Sequence, residues 1–357
     1  MIGISRAVVG LSGGVDSAAT AYLLKKQGYQ VIGVTLRTWQ AESGAYSRCC
    51  DIDDARRTAM QLDIPFYNIN CLPEFKRQVT EPFIRAYLSG QTPNPCVWCN
   101  RAIKWERLLE FADDINAEFV ATGHYAKVVK TESGRYTVRQ AASAQKDQTY
   151  MLYRLSQDQL MRTIMPLSDF GKDEVRRMAS EAGLDVASKR DSQEICFVLD
   201  GGYADYIDQN TDEPLPPPGN FVDEDGNVLG RHKGIVHYTV GQRKGLGIAL
   251  GYPAYVKRID PENNTVVLGD EASVHMDRIT CGDLNFMAIE DIRDGETVRA
   301  DVKIRYHHPA VPATIVRLDQ DRVSVTFDDP VKAPAPGQSA VFYDNDKRVL
   351  GGGIILP

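Results

Sequence analysis

The hydrophobic pattern divides the chain into a first part in which strands and helices alternate and a second part that is rich in short strands. Residues 7–11, 31–36, 65–69 and 119–122 are apolar strand-like runs, and residues 18–27, 51–62, 74–88 and 102–115 have helical periodicity. Such alternation predicts an α/β fold with a doubly wound parallel sheet. Sites in these sheets lie at the carboxyl ends of the strands.

The character of the chain changes near residue 210. A proline-rich run at residues 213–219 is typical of a linker or rigid turn. Beyond it, strand patterns cover residues 297–305, 313–317, 322–327, 339–343 and 349–355, separated by Asp, Asn and Gly. This part of the sequence is typical of a barrel or a small sandwich.

Composition excludes several classes of protein. The 357 residues are 43% hydrophobic and 25% charged, which is ordinary for a globular protein and excludes collagenous, disordered and disulfide-rich mini-protein classes. Seven cysteines, an odd number, do not suggest a secreted disulfide framework. Because no leader and no apolar run of membrane-spanning length is present, we expect a cytoplasmic protein with no membrane partner.

The charge is acidic overall but unevenly placed. The net charge of −7 argues against a simple basic nucleic-acid coat. Residues 230–259 nevertheless contain no Asp or Glu, and they interleave basic side chains with Tyr and His. That composition is typical of a surface that binds the phosphate backbone of a nucleic acid, although a solvated loop would have the same composition. The basic residues of the stretch are Arg231, Lys233, Arg243, Lys244, Lys257 and Arg258.

The sequence SGGVDS at residues 12–17 lies between the first strand and the first helix. Its glycines allow the backbone to approach a ligand closely, and the following helix directs its N–H groups at an anion. Ser12 and Ser17 can donate to phosphate, whereas Asp16 requires a bridging cation, which implies Mg²⁺. The loop is neither a Walker A motif nor a dinucleotide fingerprint. The alternative is an ordinary glycine-rich turn.

The cysteines form two candidate groups. Cys96 and Cys99 have C-x-x-C spacing ahead of a helical pattern, where a thiol pKa is lowered, and Cys196 follows two basic residues. Three interpretations remain open from the residues alone. They are a structural zinc site completed by Cys49 and Cys50, inert buried cysteines, and a redox or sulfur-relay pair. The second interpretation, an inert buried cysteine, fits Cys71 and Cys281 best.

The hexapeptide resembles the PP-loop of the ATP pyrophosphatase superfamily, and the whole chain resembles the bacterial tRNA-specific 2-thiouridylase family. The matching segments are residues 10–17, 92–100, 121–126, 146–152, 191–197, 237–247, 336–343 and 351–354. The resemblance implies a PP-loop ATP-binding domain at residues 1–205, a small β-rich tRNA-contacting domain at 206–275 and a C-terminal β-barrel at 276–357.

The resemblance also implies a reaction. ATP adenylates the C2 oxygen of the wobble uridine in the tRNAs for Lys, Glu and Gln, and a persulfide then delivers sulfur to give 2-thiouridine. By position, Cys99 is the nucleophile and Cys196 carries the persulfide, and the two end as a transient disulfide. A cysteine desulfurase or a sulfur-carrier protein supplies the sulfur. We expect a monomer.

Further site residues follow by position in the family. The ATP contacts are Gly10, Leu11, Ser12, Gly13, Gly14, Val15, Asp16, Ser17, Leu36 and Gly123. The target base meets Asn94, Pro95 and Cys96. The tRNA contacts are His124, Lys146, Asp147, Gln148, Arg305, Tyr306 and Gln338.

One position departs from the family pattern. Many members have Asp where this chain has Cys96, and a thiol cannot replace a carboxylate in proton handling. The change places three cysteines in the predicted site, which suggests a possible iron–sulfur cluster on Cys96, Cys99 and Cys196. Two other functions remain open: a PP-loop ligase that adenylates a small molecule, and a non-catalytic tRNA-binding protein with a structural metal.

Overall fold

A computed structural model describes residues 4–40, 51–189, 195–198 and 202–357. The chain forms two compact units that are interleaved along the sequence. The first consists of residues 1–79, 96–199 and 346–349, and the second of residues 80–95, 200–345 and 350–357. The three predicted domain ranges remain a prediction. No helix in the described part of the chain is long and apolar enough to cross a membrane.

Seven strands and most of the helices described belong to the first unit. The strands are β1 (Arg6–Gly10), β2 (Gln30–Arg37), β3 (Phe66–Asn70), β4 (Phe119–Ala121), β5 (Ala126–Lys130), β6 (Tyr136–Gln140) and β7 (Thr163–Ile164). The α-helices of the whole described chain are α1 (Val15–Lys26), α2 (Ile52–Gln61), α3 (Leu72–Phe75), α4 (Glu81–Leu88), α5 (Pro95–Cys99), α6 (Glu106–Asp114), α7 (Gln157–Met161), α8 (Lys172–Glu181) and α9 (Tyr203–Asn210).

The sheet of the first unit has the strand order β3-β2-β1-β4-β7, and every neighbouring pair in it is parallel. The predicted doubly wound parallel sheet is therefore confirmed. Its core is formed by apolar residues of β1 packed against α1 and α8, with Val9, Leu24 and Val175 completely buried. A separate antiparallel hairpin consists of β5 and β6.

Two predicted helices differ from the structure. The pattern at 74–88 is divided into α3, a π-helical stretch at Lys76–Thr80 and α4. Pro82, in the first turn of α4, has no N–H to donate, so the regular ladder cannot continue through it. The pattern at 102–115 likewise begins with a π-helical stretch at Asn100–Trp105 before α6.

Residues 202–357 are described without a gap and are rich in strands. They form β8 (Asn220–Val222), β9 (Val228–Arg231), β10 (Tyr255–Asp260), β11 (Thr265–Gly269), β12 (His275–Phe286), β13 (Thr297–Lys303), β14 (Val311–Arg317), β15 (Val323–Lys332), β16 (Ser339–Tyr343) and β17 (Val349–Ile355). The first four form a sheet in the order β10-β11-β8-β9, and the last six close a barrel in the order β12-β15-β14-β13-β16-β17. The expectation of a central β-rich region followed by a barrel is confirmed.

Candidate active site

The glycine-rich loop at residues 12–17 joins the carboxyl end of β1 to α1. Gly13 has a φ of +75°, and a Cβ atom there would lie 2.4 Å from the backbone oxygen of Asp51. Only glycine fits both the backbone conformation and the space. No side chain caps the amino end of α1, at Gly14. The N–H groups of its first turn therefore offer the positive end of a helix dipole to an anion.

The two serines of the loop have different roles. Ser17 is buried, and its hydroxyl donates to the Gly14 carbonyl at 2.9 Å and accepts from the Ser12 N–H at 3.1 Å. Ser17 therefore shapes the loop from inside, whereas the sequence predicted it as a phosphate donor. Ser12 is exposed, and its hydroxyl shares a hydrogen bond with that of Ser17 at 3.2 Å.

A salt bridge and a hydrogen bond hold Asp16 at the start of α1. The Lys172 ammonium lies 2.8 Å from each carboxylate oxygen, and the Tyr125 hydroxyl donates to Oδ1 at 2.7 Å. The sequence argument required a cation beside this carboxylate and assigned it to Mg²⁺. Lys172 supplies that charge, so Asp16 alone gives no evidence for a metal.

The remaining predicted nucleotide contacts lie around the same strand ends. Gly10 ends β1, Leu11 and Val15 are buried on either side of the loop, and Leu36 is buried near the end of β2. Gly123 follows β4, and a Cβ atom there would lie 2.8 Å from the Asp16 carbonyl carbon. The turn after β4 therefore packs directly against the first turn of α1.

Asp51 ties the loop to another segment. Its N–H donates to the Ser12 carbonyl at 3.0 Å, and its side chain caps α2 by accepting from the Asp54 N–H. Lys189 bonds both carboxylates, at 2.8 Å from Asp51 and 2.5 Å from Asp54. Burial opposes the charged form of Asp51, but the hydrogen bonds from Lys189 and the Asp54 N–H outweigh it and lower the pKa of Asp51.

The predicted tRNA-contacting segment at residues 146–148 is connected to the same turn. The Gln148 side chain accepts from the Tyr125 N–H at 2.9 Å, and the Gln148 N–H donates to the Tyr125 carbonyl at 3.0 Å. Asp147 is buried and accepts from the Thr149 hydroxyl at 2.7 Å, which makes it a turn-forming residue. Lys146 is half-buried.

His124 lies beside this connection and is neutral. Burial, followed by the nearby charge of Lys104, holds the pKa of His124 well below its ordinary value. Its Nδ1 lies 2.9 Å from the Thr122 hydroxyl, and its ring centroid lies 5.4 Å from that of Trp105. A neutral imidazole in this setting can stack or share a hydrogen bond, but it brings no positive charge to a phosphate.

The two predicted sulfur-transfer residues, Cys99 and Cys196, lie on separate elements. Cys99 is buried in α5, which also contains the half-buried Cys96. Between them, Trp98 lies under the guanidinium of Arg154, 4.1 Å from the ring centroid. Cys196 is half-buried in the short described segment 195–198, which Phe197 anchors by packing edge-on against Phe75.

Two further cysteines of the described residues are buried. Cys71 and Cys281 are buried, and burial raises the pKa of both thiols. They fit the inert, packing role that the sequence predicted. Cys49 and Cys50 fall outside the described residues, as do the basic and acidic residues 190–194 just before Cys196.

The described residues do not fit an iron–sulfur cluster or a zinc site. Across residues 4–40, 51–189, 195–198 and 202–357, no three His, Cys, Asp or Glu side chains are grouped as metal ligands. Cys96, Cys99 and Cys196 all belong to these residues. The thiolates that hold an iron–sulfur cluster must lie close together around it, and the described cysteines do not.

In the second unit, Gln338 contacts the segment that leads to the predicted target-base residues. Its side-chain amide donates to the Thr92 carbonyl at 2.8 Å, and the Thr92 N–H donates to the Pro336 carbonyl at 2.8 Å. Asn94 is half-buried, and Pro95 is buried at the start of α5. Gln338, predicted as a tRNA contact, thus holds backbone just ahead of them.

The other predicted tRNA contacts of this unit lie in the turn after β13. Arg305 donates to the Lys332 carbonyl at 3.4 Å, and the Lys303 ammonium lies 5.7 Å from the centroid of the Tyr306 ring. Lys332 also lies 4.5 Å from the centroid of the Tyr255 ring, and Glu271 pairs with its ammonium. The turn therefore joins cationic and aromatic side chains, the combination that binds unpaired bases and phosphates.

Acidic neighbours offset part of the positive charge of the acid-free stretch at 230–259. Lys257 pairs with Glu224, and Arg258 lies 3.2 Å from Asp260, so acids from outside the stretch offset two of its cations. Arg231, Lys233, Arg243 and Lys244 are exposed.

Sequence reasoning missed Lys172, Tyr125 and Lys189. Their partners lie 156, 109 and 138 residues away along the chain, so no local pattern connects them. One signal did exist. Lys172 is the first residue of α8, where the helix dipole disfavours a cation, and such a lysine needs a carboxylate partner.

Three family models match the chain in sequence. They are the tRNA methyl transferase HUP domain at residues 5–200, the tRNA methyl transferase PRC-barrel domain at 205–270, and the aminomethyltransferase beta-barrel domain at 276–355. The "tRNA-specific 2-thiouridylase MnmA" of Lachnoclostridium phytofermentans is 50% identical over 99% of this chain and 100% of that protein. The chain belongs to the tRNA-specific 2-thiouridylase family.

Other members of the 2-thiouridylase family match equally completely. The protein of that name from Acetivibrio thermocellus is 49% identical over 98% of this chain and 99% of its own length. Solved structures match more weakly. The U34-tRNA thiolase NcsA of Methanococcus maripaludis aligns with 54% of this chain and 61% of its own at 21% identity, with a TM-score of 0.35. Membership of the family therefore rests on the sequence relatives.

Proposed function

We propose that this protein uses ATP to replace the C2 oxygen of the wobble uridine in the tRNAs for Lys, Glu and Gln with sulfur. The observation that carries the proposal is about 50% identity, over nearly the whole chain, to relatives named tRNA-specific 2-thiouridylase. The glycine-rich loop and the uncapped end of α1 support the ATP part of it, because both suit a polyphosphate.

In the first step, the C2 oxygen attacks the α-phosphorus of ATP and pyrophosphate leaves. The carbonyl oxygen, a poor leaving group, thereby becomes the oxygen of AMP. We assign nucleotide binding to the loop at 12–17 together with Gly10, Leu11, Leu36 and Gly123. Magnesium would enter with ATP and would offset phosphate charge.

In the second step, a persulfide on Cys196 attacks C2 and AMP departs. The Cys99 thiolate then attacks the Cys196 sulfur, which forms a Cys99–Cys196 disulfide and leaves the second sulfur double-bonded to C2. A reducing thiol must cleave the disulfide before the next cycle. The thiolate form of a cysteine is the nucleophile in this exchange. Cys99 is the last residue of α5 and runs directly into the π-helical stretch, so it does not lie at a helix start as the sequence predicted. The persulfide sulfur would come from a cysteine desulfurase or a sulfur-carrier protein.

The target base must leave the anticodon stack to reach a protein pocket. We assign its recognition to Asn94, Pro95 and Cys96. The contacts to the rest of the tRNA are assigned to His124, Lys146, Asp147, Gln148, Arg305, Tyr306 and Gln338. Because few cations are available, the affinity for tRNA should fall with salt with a slope that corresponds to a few phosphate contacts.

The test is direct conversion of unmodified tRNA. The protein is incubated with ATP, the tRNA and a sulfur donor, and the digested tRNA is searched for 2-thiouridine by mass spectrometry. Pyrophosphate is measured in parallel. We expect one pyrophosphate to be released for each thionucleoside formed. Neither product should form when tRNA is absent. Pyrophosphate release without tRNA would instead indicate a ligase for a small molecule.

Cysteine variants test the sulfur step separately. Cys99→Ser and Cys196→Ser should abolish 2-thiouridine while the protein remains folded, and Cys281→Ala, at a buried and unreactive position, is the control. Cys96→Asp introduces the residue common in the family and should keep activity. If both Cys99→Ser and Cys196→Ser still form 2-thiouridine, the persulfide mechanism is wrong.

A further inference from the structure

Lys172 is an unusual residue for its place in the fold. It is the first residue of α8, whose dipole disfavours a cation, and only 13% of its side chain is exposed. Its ammonium bonds both oxygens of Asp16, the second residue of α1. The ammonium therefore lies at the amino ends of two helices, α1 and α8, and the dipole of each disfavours a cation. The carboxylate of Asp16 stabilises it there.

The cation has an effect on the site because it offsets the charge of the Asp16 carboxylate. Asp16 lies two residues after Gly14, in the first turn of α1, whose N–H groups would face the proposed nucleotide phosphates. An uncompensated carboxylate in that position would repel a triphosphate. The pair with Lys172 carries no net charge, and the hydrogen bond from Tyr125 fixes the orientation of the carboxylate.

We propose that Lys172 is a positioning residue of the ATP site that acts through Asp16. It neutralises the carboxylate and so lets the loop accept the triphosphate, while Tyr125 keeps the carboxylate turned toward the ammonium. The inference rests on the proposed use of ATP, and it adds Lys172 and Tyr125 to the site.

A double-mutant cycle tests the inference by ATP affinity. Lys172→Met should weaken ATP binding by about tenfold or more, because it leaves an unpaired carboxylate beside the phosphates. Adding Asp16→Asn removes that carboxylate and should restore the affinity to within about threefold of wild type. Asp16→Asn alone completes the cycle. If the double variant binds ATP as weakly as Lys172→Met, Lys172 does not act through Asp16 and the inference is wrong.

The choice of nucleotide separates electrostatics from a purely structural effect. Lys172→Met should weaken the binding of ATP far more than that of AMP, because AMP carries less charge. Equal losses for ATP and AMP would overturn the inference. Lys127→Met is the matched control: Lys127 forms the same two-oxygen contact with Asp169, at 3.1 and 2.8 Å, on the β5–β6 hairpin. It should leave ATP affinity unchanged.

The remaining outcomes are also decisive. Lys172→Arg should keep most of the affinity, and circular dichroism checks that every variant is folded. If Lys172→Met does not fold, the Lys172→Arg and Tyr125→Phe variants carry the test, and Tyr125→Phe should weaken ATP more than AMP. If wild type binds ATP and Lys172→Met binds it equally well, the inference alone fails. If wild type does not bind ATP, the proposed function fails as well.

Discussion

Gln148 and Tyr125 exchange two hydrogen bonds, one to a side chain and one between backbones, at 2.9 and 3.0 Å. The hydroxyl of the same tyrosine donates to Asp16. One residue, Tyr125, therefore connects a segment that we propose to contact tRNA with a carboxylate of the proposed ATP site. Substitutions of Gln148 should therefore affect more than RNA binding.

Gln148→Ala should reduce thiolation and weaken ATP binding together. It leaves the Tyr125 N–H without its acceptor, which costs about 1–3 kcal/mol of stability if the group remains buried. ATP affinity by calorimetry and unfolding by urea measure the two effects. Gln157→Ala is the control, because the Gln157 side chain likewise accepts from a backbone N–H, that of Tyr136 on the β5–β6 hairpin, and also donates to the Tyr136 carbonyl. It should lose stability without losing ATP affinity, and equal loss of ATP affinity in both variants would contradict this prediction.

Gly13→Ala should destabilise the protein and abolish ATP binding. The new Cβ would clash with Asp51 in addition to straining a φ of +75°. We expect a loss of more than about 2 kcal/mol in the free energy of unfolding. Gly134→Ala, at a φ of +88° with nothing within 4 Å, isolates the strain and should cost only about 1–2 kcal/mol. Similar costs at the two glycines would show that the contact with Asp51 is unimportant.

His124 should make the protein less stable as the pH falls. Its pKa is lowered in the folded state, first by burial and then by Lys104. The unfolded chain therefore binds more protons below about pH 6.5, and stability falls from there down to the folded pKa, by at most about 1.4 kcal/mol per pH unit. Urea midpoints at pH 7.5, 6.0 and 5.0 measure this. His124→Gln should flatten the slope, and His275→Gln, at an exposed site, should not. An unchanged slope in His124→Gln would count against a neutral imidazole at this position.

Alkylation should distinguish the cysteines by their burial. In the folded protein, iodoacetamide should label Cys96 and Cys196, which are half-buried, well before Cys71 and Cys281. Burial raises the pKa of the latter two thiols and removes them from solvent. Peptide mapping by mass spectrometry measures the order, and labelling in urea is the control in which all should react. Early labelling of Cys281 in the folded state would show that the barrel opens.

Local patterns predicted the fold because its decisive elements are local. The strand, glycine-rich loop and helix at residues 6–26 carry their own periodicity and turn residues. The strand β12 was not predicted, because its first four residues are exposed and a register shift between Met276 and Arg278 interrupts the alternation. A β-bulge of this kind shifts the alternation of inward and outward side chains, so a pattern with a period of two residues is lost there.

The candidate site was predictable in its position but not in its electrostatics. Asp16 lies in the loop, and its ion pair with Lys172 could not be read from the sequence; the magnesium ion stays a prediction. The Ser17 hydroxyl, which the sequence predicts as a phosphate donor, donates to the Gly14 carbonyl in this structure. A side chain's partner is decided by the fold, so distant partners can only be found once the chain is folded.

The interleaving of the two units has a consequence for how the protein is made. Residues 346–349 belong to the first unit, where the Thr137 hydroxyl donates to the Val349 carbonyl at 2.6 Å and the Gln140 N–H donates to the Lys347 carbonyl at 3.0 Å. On the ribosome, β6 is synthesised long before these acceptors exist. The unit that carries the glycine-rich loop therefore begins first, and it cannot form these two hydrogen bonds until residues 346–349 have been synthesised.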